Sequence, residues 1–345
     1  MKKSRVVVFT APHELEIREV DIPDIKEGQA LIRIKACNIC TTEQGQYSGK
    51  RPLKYPVIGG HEFGGVIEEI KDNTNSGLAV GDRVAIGYDY CGECSFCKKG
   101  LFNFCEGLPE EDIRYGGYRG MFGLADYIAA PIKAIYKFSD ELPFNVIGFE
   151  EPLGTVVHGQ QKVNITPGDF VVIFGAGTMG ILNALYAKVQ GANVAIIDMQ
   201  GDRLEVAKNA GIPHTINPSK EDVAEAVNKL TGGAGADCVI LAVGNTNANN
   251  QAQEIVRYGG KILFFAAGYP KPSISLDSND IHYSEVQLIG TSGGNPNDFS
   301  IANKLINNKI IDVTALLDEE FPVQRAKEAF EKSIDGKSYR VTINF

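Results

Sequence analysis

The sequence predicts an α/β protein in two parts, a β-rich domain and a doubly wound, largely parallel sheet with helices on both faces. Three observations carry this. From residue 170 to residue 290, short apolar runs alternate with helix-length amphipathic stretches, the pattern of repeated β-α units. Before about residue 150 the apolar runs are short, some alternate with polar residues, and Gly and Pro punctuate them, as in a compact antiparallel domain. The chain has 345 residues, more than one typical core takes up, so two cores are expected.

In chain order, residues 4–9 and 15–20 read as two strands around Pro12-His13. Residues 30–36 alternate apolar and polar side chains, as a half-exposed antiparallel strand should, and run into Cys37-Asn38-Ile39-Cys40-Thr41-Thr42-Glu43. A loop rich in Pro and Gly over 45–60 leads to Gly60-His61-Glu62-Phe63-Gly64-Gly65 and a strand at 66–70. The turn Gly81-Asp82 opens a strand at 83–86, and residues 88–106 form a separate lobe with four cysteines. A strand-like 125–128, the segment Phe149-Glu150-Glu151-Pro152-Leu153-Gly154 and a helix over 154–163 follow.

Residues 170–174 are a continuous apolar run rich in β-branched and aromatic side chains, as in a strand buried on both faces. Gly175-Ala176-Gly177-Thr178-Met179-Gly180 then opens a helix with apolar residues at helical spacing, and a second buried strand at 194–197 ends at Asp198. This is the Rossmann order of strand, G-x-G-x-x-G, helix, strand and terminal acid. The glycines give a tight turn, a close backbone approach to a pyrophosphate and close helix packing. The diphosphate is expected at the helix N-terminus, at Gly175, Gly177, Thr178, Met179 and Gly180, where free N–H groups and the dipole favour negative charge. Asp198, 18 residues after Gly180, is placed to accept from both ribose hydroxyls of an adenosine. The same carboxylate would repel the 2′-phosphate of NADP, so NAD is the expected cofactor; Arg203 is the nearby cation that leaves NADP open.

Strands at 214–216, 238–241, 261–265 and 286–289, with helices at 202–210, 220–231 and 249–257, complete a six-stranded sheet. A helix at 299–308, a strand near 312–317, a helix at 323–333 and a strand at 339–343 do not extend that pattern and are expected to return to the first domain. The expected division is 1–153 with 291–345 around 154–290.

A net charge of −9 without a basic run argues against a nucleic-acid or membrane surface. The longest apolar runs are strand-sized, and the basic residues Lys2, Lys3 and Arg5 precede an apolar run too short for a signal peptide. Seven cysteines, four of them within fifteen residues, suit metal binding in a reducing cytoplasm better than a disulfide framework.

Cys91, Cys94, Cys97 and Cys105 supply four thiolates at spacings that let a small loop wrap one ion. Four soft anionic ligands with no gap for water make a closed, structural zinc site; the alternatives are unpaired surface cysteines or an iron–sulfur site, and nothing else in the sequence suggests electron transfer. Cys40, at the end of a strand, and His61-Glu62, in a glycine-flanked loop, can converge in a cleft. An inert buried cysteine and a hydrogen-bonding histidine are the plainer reading of that pair. His61-Glu62 lacks a second histidine four residues on, so it is no metalloprotease helix.

Taken together, G-H-E-x-x-G over 60–65, the four-cysteine lobe, Glu151-Pro152-Leu153-Gly154 and the G-x-G-x-x-G resemble the zinc-dependent medium-chain dehydrogenases over essentially the whole chain. That resemblance implies a GroES-like catalytic domain beside the Rossmann domain, two zinc ions per chain and a homo-oligomer, dimer or tetramer. It implies that Cys40 and His61 ligate a catalytic zinc, with Glu151 in a third position that other members fill with cysteine, and Glu62 as the carboxylate that can replace a water. Thr42 matches the hydroxyl that takes the substrate's proton. The sequence departs from the family in reading Thr41-Thr42-Glu43 after Cys40 and in having Gly45 where many members carry a relay histidine. A glutamate as third ligand points to the polyol and threonine dehydrogenase branches, and Ile281-His282-Tyr283 looks similar to sequences of the polyol branch. Glu43, Gln44 and Tyr47 are candidates to line a polar pocket. The expected reaction is oxidation of a polyol's secondary hydroxyl to a ketone with NAD, with L-threonine or a sugar phosphate as alternative substrates, the phosphate held by Arg114, Arg119 or Lys54. A non-catalytic NAD-binding relic is the alternative of a different class.

Overall fold

The computed structural model describes residues 3–108 and 115–345. These separate into two compact units, the chain up to Gly154 with Gly294–Phe345, and Thr155–Gly293. The first unit begins with strands β1 (Lys3–Ala11), β2 (Glu14–Asp21) and β3 (Gln29–Asn38) and helix α1 (Thr41–Tyr47). Strands β4 (Val57–Ile58), β5 (Glu62–Lys71), β6 (Arg83–Ile86), β7 (Arg119–Gly120), β8 (Tyr127–Pro131) and β9 (Ile135–Phe138) follow, then helices α2 (Phe144–Ile147) and α3 (Glu150–Val163). The second unit holds β10 (Phe170–Phe174), α4 (Thr178–Val189), β11 (Asn193–Ile197), α5 (Gly201–Asn209), β12 (His214–Ile216) and α6 (Val223–Thr231). It continues with β13 (Ala236–Leu241), α7 (Thr246–Ile255), β14 (Val256–Phe264), α8 (Ser278–Ser284) and β15 (Gln287–Gly290). The chain then re-enters the first unit as α9 (Pro296–Asn307), β16 (Leu317–Pro322), α10 (Ala326–Ser333) and β17 (Arg340–Asn344).

In the first unit a four-stranded sheet (β2-β1-β4-β7) accompanies a seven-stranded one (β16-β17-β3-β5-β6-β9, with β8 on β3). Register decides what the site contains. β3 runs antiparallel to β5 with Asn38 opposite Glu62, and to β17 with Thr342 opposite Asn38. The ends of three strands distant in sequence are thereby brought together just before Cys40, at His61 and at Arg340. The core beneath is aromatic: Phe330 of α10 packs on Phe9 at 5.0 Å and on Tyr47 at 5.1 Å between ring centroids. Each such ring contributes about 1.5–3 kcal/mol by burial.

The second unit is a parallel sheet of order β12-β11-β10-β13-β14-β15. Val171, Val172, Ile173, Val239 and Ile240 are fully buried, which is why β10 and β13 read as continuous apolar runs. Sequence order reverses between β10 and β13, the switch point where open α/β sheets take their ligands.

Some elements differ from expectation. Residues 41–47 form a helix, although the segment lacks an apolar stripe; its two buried residues, Glu43 and Tyr47, stand one turn apart on one face. The strand expected near 312–317 begins at Leu317, because the Asp312 side chain accepts from the Thr314 N–H and hydroxyl and holds a turn there. Strand β9 and helix α2 were not anticipated. Among the described residues no helix is long and apolar enough to cross a membrane.

One packing detail bears on the site. Phe299 of α9 is 1% exposed and sits in a socket of three glycines. A Cβ at Gly87, Gly154 or Gly294 would come within 2.6, 2.3 or 3.0 Å of its ring. Gly154→Ala is therefore expected to destabilise the protein by about 1–3 kcal/mol in urea unfolding, with partial recovery when Phe299→Leu is added. An unchanged midpoint for the single variant contradicts the socket.

Candidate functional site

Two groups of ligand-type side chains are assembled, one locally and one across the fold. The local group is the cysteine lobe. The Sγ atoms of Cys91, Cys94, Cys97 and Cys105 all lie within 4.8 Å of one another, and Cys91 and Cys97 are 3.9 Å apart, sulfur to sulfur. A tetrahedron with zinc–sulfur bonds of about 2.3 Å has edges of about 3.8 Å, so the four atoms fit one ion. Backbone N–H groups point at the sulfurs: Cys91 donates to Cys105, Glu93 and Cys94 donate to Cys91, and Cys97 donates to Cys94. Such donors favour thiolates. The N–H groups of Cys97 and Glu106 bring Cys94 down to about 6, and those of Glu93 and Cys94 lower Cys91. Burial pushes Cys97 up to about 12, and its neighbouring cysteines add to this. A cation is what would let all four ionise together.

The second group is built by register. Cys40 is the N-cap of α1, directly after β3, and His61 precedes β5. Gly60 turns the chain into His61 at φ +91°, and a Cβ there would meet the Leu124 nitrogen at 2.4 Å. The close approach is fixed by backbone bonds from Gly123 N–H to the Gly60 carbonyl and from Leu124 N–H to that of Gly59. Ligand atoms of Cys40, His61 and Glu62 fall within 4.8 Å of one another. Glu151, in the first turn of α3, places Oε2 3.9 Å from His61 Nε2. His61 and Glu151 open onto a cavity of about 260 Å³ with Ile86, Tyr88, Leu108 and Met121 in its wall.

Behind these side chains stands a set of partners that hold them. Glu43, fully buried, binds His61 Nδ1 at 2.8 Å and accepts from the Gly60 N–H at 2.9 Å. With Nδ1 as donor, the His61 Nε2 lone pair faces the cavity, the orientation a metal requires. Glu62 accepts from Nε and Nη2 of Arg340 at 2.6 and 2.7 Å, and both residues are 1% exposed. A carboxylate has further lone pairs beyond that bidentate contact, so Glu62 is tethered without being spent. Tyr88 donates its hydroxyl to Glu151 Oε1.

The electrostatics of this group favour a cation at its centre. Burial works against a charged His61, yet Glu43, Glu151 and Cys40 outweigh it and hold the imidazole well above its usual range. Burial, reinforced by Glu62, keeps the Glu151 carboxyl high despite the opposing pull of His61. Burial likewise raises Glu150, whose two oxygens lack hydrogen-bond partners. A crowd of acidic groups around a thiol and an imidazole nitrogen suits a zinc ion with a position left open.

Thr42 Oγ1 accepts from Arg51 Nη1 at 3.1 Å. Arg51 packs where a side chain at position 45 would go, its Cβ 3.2 Å from a Cβ built on Gly45. Two of the residues expected to line a polar pocket do not. Glu43 is turned onto His61, and Tyr47, also fully buried, donates to Glu331. Arg114 lies outside the described residues, and Lys54 is exposed.

In the second unit, Gly177 is the N-cap of α4, with Thr178 and Met179 opening the helix. Gly175 has φ +98°, and a Cβ on Gly180 would fall 1.7 Å from the Gly175 carbonyl oxygen. The loop's own backbone, more than packing of helix on sheet, is what demands glycine at position 180. Asp198 Oδ2 accepts from the Ala176 N–H at 2.8 Å and Oδ1 from Gln200 N–H at 2.8 Å. Arg203 lies over the same loop, Nη1 3.1 Å from a Cβ built on Gly177.

Comparison with known proteins accords with this arrangement. The profile described as zinc-binding dehydrogenase matches residues 178–308, and that of the alcohol dehydrogenase GroES-like domain matches residues 26–140. An erythritol/L-threitol dehydrogenase of Mycolicibacterium smegmatis is 31% identical over 97% of this chain and 96% of its own. The chain belongs to the zinc-type medium-chain dehydrogenase family. An alcohol dehydrogenase of Geobacillus stearothermophilus is 32% identical over 98% of this chain and 97% of its own. A solved oxidoreductase of unknown specificity from Escherichia coli superposes with a TM-score of 0.90 at 26% identity, covering 99% of both chains. This zinc-type dehydrogenase is thus an oxidoreductase with a GroES-like domain and a Rossmann domain.

The two ligand groups make separable demands on the zinc-type dehydrogenase. Cys97→Ser is expected to lose one of two zinc ions and to lower the melting temperature by on the order of 5 °C. Cys40→Ser is expected to lose the other ion and turnover while melting near the parent. Zinc content by atomic absorption and thermal unfolding check this, and equal loss of stability in both variants contradicts the division.

Proposed function

We propose that this chain oxidises a secondary hydroxyl of a short polyol to a ketone, reversibly, with NAD. The observation that carries the reading is the grouping of the Cys40, His61 and Glu62 ligand atoms within 4.8 Å of one another, with Glu151 3.9 Å from His61 and these last two facing one cavity. Two carboxylates beside one thiol and one imidazole make a harder, more anionic and wetter site than a thiolate-rich one, which suits a substrate with several hydroxyls. Zinc, when bound, lowers the pKa of an alcohol and polarises a carbonyl, and NAD, when bound, takes up the hydride.

The chain's own groups do the rest. Cys40, His61 and Glu151 would hold the ion, with Glu62, tethered by Arg340, as a further carboxylate beside it. Thr42 accepts the substrate's proton. Its oxygen has one lone pair on Arg51 and another for the substrate hydroxyl, while its own hydrogen passes outward. Arg51 fills the place of a relay histidine but stays protonated at working pH, so it orients Thr42 and the proton leaves through water. Glu43 fixes His61 in the tautomer that binds a metal.

A second reading has its own support. The cavity wall contributed by Ile86, Leu108 and Met121 is apolar and favours an alcohol with one hydrocarbon limb. Initial rates with NAD for erythritol, sorbitol, xylitol, L-threonine and 2-butanol separate the two. The polyol reading expects a polyol to lead, and a tenfold preference for 2-butanol or threonine in kcat/KM, about 1.4 kcal/mol, overturns it.

Asp198 supports NAD over NADP. Asp198→Ala is expected to raise KM for NAD about tenfold or more and to improve use of NADP; a parent enzyme that reduces NADP as well as NAD contradicts the assignment. Assembly into a homo-oligomer is part of the same reading. It is supported by the open edge of β15 and by Tyr258 and Tyr283, 83% and 78% exposed, since uncovered strand edges invite pairing. The free thiols of the cysteine lobe support residence in the cytoplasm.

A further inference from the structure

Glu151 differs from the other candidate ligands in how it is held. Glu43 fixes the ring of His61, and Arg340 takes both oxygens of Glu62. Glu151 has one oxygen engaged, Oε1, by the Tyr88 hydroxyl, while Oε2 faces His61 Nε2 at 3.9 Å. Tyr88 is itself constrained. It follows Gly87, and its ring meets Phe299 edge-on at 5.1 Å and 74°. Phe299 is locked by the glycine socket at positions 87, 154 and 294. The chain of contacts therefore runs from the α9 ring through Tyr88 to one oxygen of one carboxylate. Tyr88 also stands in the cavity wall and is 37% exposed, so nothing in its own packing demands a hydroxyl: phenylalanine would fill the same space against Phe299.

We propose that Tyr88 is a positioning residue that makes Glu151 a one-oxygen ligand, holding Oε1 back so that Oε2 alone is presented beside His61. The proposal rests on the reading of Glu151 as a metal ligand. A carboxylate can bind a metal through one or both oxygens and can rotate between them. With the phenol on Oε1 the rotation is stopped and the second oxygen is kept off the ion, which preserves a position for substrate. Without the phenol, Glu151 is free to turn both oxygens inward or to swing into the cavity. The role requires a hydroxyl at position 88 on a ring held in place, and the edge-on contact with Phe299 supplies the second condition.

The test uses the full-length protein with cobalt(II) in place of zinc at the second site, comparing the parent with Tyr88→Phe, Glu151→Ala and the double variant. Visible absorption reads coordination number and geometry, and chelator competition reads affinity; neither depends on turnover. Tyr88→Phe is expected to melt near the parent, to change the intensity of the cobalt ligand-field bands, and to weaken metal affinity about tenfold, the low end of what loss of a ligand's supporting partner costs. In the Glu151→Ala background the same substitution is expected to change neither reading, because its only route to the metal is gone. If Glu151→Ala weakens the metal but Tyr88→Phe leaves spectrum and affinity as in the parent, the positioning role is overturned and the ligand assignment stands. If Tyr88→Phe acts equally with and without Glu151, it acts by another route and the proposal fails. If Glu151→Ala leaves both readings unchanged, the ligand assignment falls and takes the proposal with it.

Discussion

The first unit is organised around a buried surplus of negative charge. Glu43, Glu62 and Glu151 are almost wholly removed from water, and Cys40 stands among them. Arg340 answers Glu62. Uncompensated buried charge costs several kcal/mol per group, so a site of this kind persists only if something else at its centre is positive. A charged His61 imidazole, favoured by Glu43, Glu151 and Cys40 against its burial, goes part of the way to meeting that need. A divalent ion meets it better, and the surrounding structure is arranged for that. Gly60 permits the turn that delivers His61, Glu43 sets its tautomer, and β17 carries Arg340 in beside β3.

The two ligand groups show why one was plain in the sequence and the other was not. Cys91, Cys94, Cys97 and Cys105 lie within fifteen residues, and short spacings alone restrict what they can do. Cys40, His61 and Glu151 become neighbours only through the registers of β3 and β5 and the start of α3. Their identification from sequence rested on resemblance, with the inert cysteine and structural histidine standing as fair alternatives. Arg340 was not singled out. An arginine in the last strand reads as one polar residue in an alternating pattern, and its complete burial depends on Glu62, 278 residues away. Tyr88 and Arg51 escaped for the same reason.

The second unit was the more legible of the two. Its central strands β10, β11 and β13 are largely buried on both faces, so hydrophobicity alone marks them, and helices such as α4 and α6 are long enough to show their period; the seven-residue α8, with no buried residue, is not. The first unit's errors fall where local polar contacts outweigh pattern. Residues 41–47 carry no apolar stripe, yet they coil because Glu43 and Tyr47, buried one turn apart, find partners in His61 and Glu331. The polar segment after Cys40 suggests a polar pocket, but its one acid, Glu43, serves His61. A polar residue beside a site binds the ligand or supports those that do, and sequence alone does not distinguish these.

The sequence separation of 278 from Glu62 to Arg340 also sets an order of events during synthesis. A nascent chain that has emerged as far as Gly154 already carries Cys40, Glu43, His61, Glu62 and Glu151. It lacks Arg340, the Phe299 ring for the glycine socket, and β16 and β17 for the edge of the seven-stranded sheet. The first unit is therefore begun first and finished last, with the whole second unit translated in between. Until then β3 lacks its partner over residues 36–38 and the acidic cluster has no guanidinium. Such long sequence separation slows closure and exposes a strand edge meanwhile. Completion of the group around Cys40, His61 and Glu62 is thus tied to the final stretch of translation, whereas the four cysteines of the lobe are all in place by residue 105.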